Sequence, residues 1–177
     1  MIRIGSRRGQ GGDAVDALLD CHARIREMTA LARALAGAHG RTEAEIAEAA
    51  ARVRRYFTES LAHHVEDEEQ SLLPRLRGRD PAVDAALDQM AAEHAVHEPL
   101  VASLVAVCAV LESRPAALSE MRAELDPVSA RLASELAIHL AGEEQIVFPA
   151  VRRLLSTDER DQIRAEMRAR RDGERES

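Results

Sequence analysis

Two stretches of this 177-residue chain carry the same pattern. His64-Val65-Glu66-Asp67-Glu68-Glu69-Gln70 runs on through Ser71, Leu72 and Leu73 to Pro74. His139-Leu140-Ala141-Gly142-Glu143-Glu144-Gln145 runs on through Ile146, Val147 and Phe148 to Pro149. Each holds a His-x-x-x-Glu pair, and residues four apart share one face of a helix. Each stretch can thus aim one imidazole and one carboxylate at a single point. That donor set suits iron, manganese or zinc, so two such pairs facing each other describe a site for two metal ions.

The elements that must position these residues are helices. The chain is rich in Ala, Leu, Arg and Glu, with only 2% aromatics, and apolar residues nowhere alternate as they do in strands. A first amphipathic segment runs from Asp13, an N-cap, to Gly37, a stop signal, with the stripe Val15, Leu18, His22, Ile25, Ala32, Leu35. A second starts at the capping box Thr42-x-x-Glu45 and closes at Gly78; its stripe is Ile46, Ala50, Val53, Phe57, Leu61, His64, Glu68, Leu72. A third begins at Asp80-Pro81 and carries Val83, Leu87, Met90, His94, His97, Val101, Leu104, Cys108, Leu111, with a kink or opening expected at Pro99. In the fourth region, from Pro115, Pro127 is expected to split off a lead-in turn. The main helix then bears Leu132, Leu136, His139, Glu143, Val147, Ala150, Leu154. Ser156-x-x-Glu159 is a capping box for a short terminal helix. Short loops force antiparallel neighbours. The reading is all-α: an antiparallel up-down-up-down four-helix bundle over residues 13–155 and a short extra helix over 156–170. Residues 1–12 and 171–177 read as disordered tails.

His22, His64, Glu68, His94, His139 and Glu143 all fall on core stripes. Buried carboxylates are costly without compensation. Four inward imidazoles and two inward glutamates need an internal counter-charge, which two metal ions supply. Glu69 and Glu144 follow the stripe glutamates but are turned by about 100°, so they are read as solvated or as orienting a histidine. His97 lies on the stripe one turn beyond His94, and Glu98 repeats the His-x-x-x-Glu spacing from His94; the kink expected at Pro99 could present either to the site. His63 is off the stripe, His39 sits in a connection, and Phe148 is a core residue that could shield the site from water.

The net charge is −7, and the basic residues are all arginines dispersed among acids. This argues against a nucleic-acid surface, which needs a clustered basic stripe. Cys21 and Cys108 form no CxxC motif and read as reduced thiols. There is no apolar leader at the start, and no stretch reads as a membrane span. A cytoplasmic location without a membrane partner is the resulting expectation.

These residues resemble the hemerythrin/HHE cation-binding family from about Asp13 to Leu155. The resemblance rests on His22, His64-x-x-x-Glu68 with Leu73-Pro74, Glu93-His94, and His139-x-x-x-Glu143 with Phe148-Pro149. It implies two iron ions with an oxo or hydroxo bridge, Glu68 and Glu143 bridging, and His22, His64, His94 and His139 as terminal ligands. Zinc or manganese remains an alternative occupant. The implied partner is a small diatomic or peroxide ligand, with sensing, scavenging or oxygen and iron handling as the role. Catalase-like peroxide turnover stays open, as does an iron-responsive regulatory module or a structural metal pair. The third helix departs from the oxygen carriers of the family: His94 and His97 are three apart where those resemble His-x-x-x-His.

Overall fold

In the computed structural model, residues 12–173 are described; residues 1–11 and 174–177, within the two expected tails, lie outside the described residues. Helix α1 is Ala14–Ala36. The Asp13 carboxylate accepts from the Asp16 N–H, and the Asp16 carboxylate accepts from the Asp13 N–H. Helix α2 covers 43–76 and opens on the Thr42/Glu45 capping box. The chain turns after it at Gly78, whose φ of 80° is the left-handed conformation glycine adopts without strain. Helix α3, Pro81–Ser113, starts with the Asp80 side chain accepting from the Ala82 N–H at 2.9 Å. After the 3₁₀ turn Pro115–Ala117, helix α4 covers 118–154. Helix α5 is Thr157–Gly173, and Ser156 and Glu159 exchange the two bonds of its capping box.

Each of the first four helices packs on its chain neighbours, and α4 closes back onto α1. This is the expected four-helix bundle, with α5 laid against α1 and the second half of α2. The stripes face inward: all those named for α1 and α2 are buried, as are most of those on α3 and α4. The apolar interior falls into two clusters. One contains Ile25, Val53, Phe57, Leu104 and Leu136. The other contains Leu18, Leu72, Leu87, Val147 and Phe148, joined by Ile163 and Met167 of α5. The His/Glu positions occupy the layer between them, so two dry cores fix the helix spacing above and below the polar groups.

The helices depart from expectation in four places. Helix α3 runs unbroken through Pro99, so of the kink or opening expected there the opening does not occur. The stretch Leu118–Gly142 runs unbroken through Pro127, so no lead-in turn splits off there; Leu125 and Leu132 are both fully buried and hold the helix on either side of the missing N–H. Helix α5 continues past Arg170 to Gly173, because Arg170 and Arg171 are tied to α2. Finally, α3 is long and apolar enough to cross a membrane by length and composition, with 28% of its apolar window buried. The sequence reading did not anticipate this. In the bundle the same helix buries Val83, Leu87, Met90 and Leu104 against its neighbours.

Candidate metal centre

Three segments widen into π-helix: Tyr56–Ser60, Asp67–Leu72 and Glu143–Val147. The last two hold Glu68 and Glu143. Each closes with an i→i−5 bond, from the Leu73 N–H to Glu68 O and from the Phe148 N–H to Glu143 O. The next residue is proline in both, Pro74 and Pro149. Proline offers no N–H and crowds the carbonyl four residues back, which favours a widened turn before it. The matched prolines were thus a visible sign of the π turns, which the periodicity did not reveal.

Six of the eight candidate residues converge. His22, His64, Glu68 and Glu143 offer ligand atoms all within 4.8 Å of one another, and so do Glu68, His94, His139 and Glu143. Both glutamates belong to both groups, and the contacts show why. Glu68 Oε1 lies 3.1 Å from His64 Nε2, and its Oε2 lies 3.3 Å from His94 Nε2. Glu143 Oε2 lies 3.0 Å from His22 Nε2, and its Oε1 lies 3.0 Å from His139 Nε2. Each carboxylate therefore spans the two groups, one oxygen to each. The other two candidates stand apart. His97 is buried with its ring 5.0 Å from that of His139, and Glu98 is exposed at the rim of a groove; neither is in a four-residue group.

Three of the four imidazoles are held from behind. His22 Nδ1 pairs with Glu144 at 2.8 Å, His94 Nδ1 with Glu69 at 2.9 Å, and His139 Nδ1 with Glu93 at 2.8 Å. Each such bond sets the ring's orientation and leaves Nε2 facing inward. Glu69 and Glu144 do the orienting that their turned position allowed. Glu93 was missed in that role; it sits one residue before His94, but it serves His139 on the facing helix. His63 lies 3.7 Å from Glu66, and His39 is exposed. Phe148 packs on His22 with ring centroids 4.9 Å apart.

The electrostatics are those of a dry site. Burial, reinforced by the charge of Glu143, pushes the Glu68 carboxyl well above its ordinary range. Burial pulls His64 down to about 3 and His97 down to about 4. Burial also pushes on Glu143, but contacts with His139 and His22 outweigh it and hold this carboxyl low. Among the described residues, both oxygens of Glu68 and Glu143 and the Nε2 atoms of His22, His64 and His94 are buried without a hydrogen-bond partner. Such groups are rare in folded proteins and costly. Their convergence fits a pair of cations.

An open groove of about 670 Å³ lies between α2 and α3, with His64, His94, His97 and His139 in its lining and Phe57 and Val101 among its apolar walls. His22, fully buried, has no part in it.

An all-α bundle with two His/Glu groups sharing two carboxylates defines a class of metal-binding helical proteins. Residues 13–126 match the Hemerythrin HHE cation binding domain, and the chain belongs to that family. No curated protein matches the chain.

Proposed function

We propose that the chain holds a non-haem di-iron centre, bridged by Glu68 and Glu143. His22 and His64 serve one iron, and His94 and His139 serve the other. The observation that carries this reading is the division of each glutamate's two oxygens between the two groups of imidazoles. Bound there, an iron pair would supply redox equivalents and an open position for O₂, peroxide or nitric oxide. The protein's own contribution is to orient three imidazoles through Glu144, Glu69 and Glu93, to keep bulk water out with Phe148 and the two apolar clusters, and to admit a small ligand by the groove. His97, beside His139 in the lining of the groove, would meet a ligand on its way to the metals and would not itself hold one. Its low basicity keeps it neutral near pH 7, able to donate or accept one hydrogen bond.

Metal analysis with optical spectra before and after O₂, peroxide and nitric oxide tests the proposal. About two irons per chain, with oxo-to-iron charge-transfer absorption that changes on adding one of these ligands, is the expected result. Zinc alone, in protein made under iron-replete conditions, would overturn it.

A further inference from the structure

Asp67 is fully buried beside Glu68, yet it does not face the centre. Its Oδ1 pairs with Arg170 at 2.7 Å and its Oδ2 with Arg171 at 2.6 Å, both from α5. Arg170 also donates to the Ser71 hydroxyl at 2.7 Å, and that hydroxyl donates to Glu166 at 2.6 Å. Arg75, one turn further along α2, holds Glu166 at 2.7 Å. A buried carboxylate with a guanidinium on each oxygen has little freedom to turn. Consecutive residues on a helix point about 100° apart, so Asp67 can grip α5 while Glu68 reaches the interior.

The twin segment supplies an internal control. The residue before Glu143 is Gly142, where an added Cβ would meet nothing within 4 Å. The Glu143 turn therefore carries no side-chain tie to another helix at this position, whereas the Glu68 turn is fastened to α5 there. We propose that Asp67, clamped by Arg170 and Arg171, is a positioning residue for Glu68, so that α5 is a working part of the metal centre. The proposal rests on the di-metal reading above. Glu68 reaches both groups, so a shift of its backbone disturbs both metals together.

The test uses the full-length chain, loaded with ferrous iron without oxygen and competed with a chromophoric chelator. The visible spectrum of the cobalt(II) form is a second readout. The variants are Asp67→Asn, the double change Arg170→Gln/Arg171→Gln, and its charge-keeping counterpart Arg170→Lys/Arg171→Lys. Arg79→Gln, which breaks the Arg79–Glu159 pair at the other end of α5, is the control. Thermal stability falls in all of them. Asp67→Asn and the double glutamine variant lose iron about tenfold or more as readily as wild type and shift the cobalt bands. The double lysine variant recovers most of that affinity, and Arg79→Gln keeps wild-type affinity and bands. A folded Asp67→Asn, or a folded double glutamine variant should Asp67→Asn not fold, with wild-type iron affinity and cobalt bands overturns the proposal and leaves the di-iron reading intact. Wild-type protein that takes up no metal overturns both.

Discussion

The two halves of the centre are built from the same parts and closed differently. On one side His22 and His64 are almost wholly buried, Phe148 covers His22, and α5 lies behind the α2 segment that carries Glu68. On the other, His94 and His139 line an open groove beside a third imidazole, His97, that lies in neither group. In the inner half His64 reaches the groove and His22 is closed off; in the outer half both imidazoles face it. Symmetric donor sets thus need not give symmetric chemistry. Asymmetry arises in the packing around the donors, where access and dielectric are set.

The largest effect should come from what the halves share. Glu68→Ala or Glu143→Ala should empty both positions, taking iron from about two per chain to nearly none by metal analysis; retention of one iron in either variant would mean the carboxylates do not serve both halves. Next in size, His64→Ala should cost far more iron than His63→Ala, since His64 lies in a group and His63 does not; equal losses would break the assignment of the inner half. Third, Glu144→Gln and Glu93→Gln remove the carboxylates behind His22 and His139 and should weaken iron binding by about 10- to 100-fold in a chelator competition. Comparing the two shows which half depends more on its outer partner. Smaller still, Ala95→Phe, at an exposed position lining the groove, should slow azide binding to the ferric protein about tenfold by stopped-flow absorption, with iron content unchanged. An unchanged rate would mean that ligands do not enter from the outer side. His97→Ala should likewise keep both irons by metal analysis, since His97 lies in neither group.

Much of the centre was legible because burial of a charge is expensive. A glutamate on a stripe of Leu, Phe and Val must have a reason, and this argument chose His64 over His63 and Glu68 and Glu143 over their neighbours. The structure brings these residues together with His22, His94 and His139. Helix starts were equally plain, since Asp13, Thr42, Asp80 and Ser156 each satisfy free N–H groups by local bonds. Proline misled twice. The helices show no opening at Pro99 and no lead-in turn split off at Pro127, while Pro74 and Pro149 follow the π turns. The cost of one lost hydrogen bond depends on how firmly the rest of the helix is packed, and local sequence does not contain that. Arg170 and Arg171 read as the last residue of a short helix and the first of a disordered tail, because the acid they grip lies about a hundred residues earlier in the chain.

By itself, the sequence determined which residues could be ligands, since helical periodicity and the cost of burying charge act on spacings of three and four. It also determined the helices and their caps, which are satisfied within a few residues. Tertiary structure alone decided how the donors divide between two positions, which imidazoles face the groove, and that Asp67 belongs to α5. Those outcomes depend on which side chains from distant helices meet, and that is set when the two apolar cores lock the helices in register.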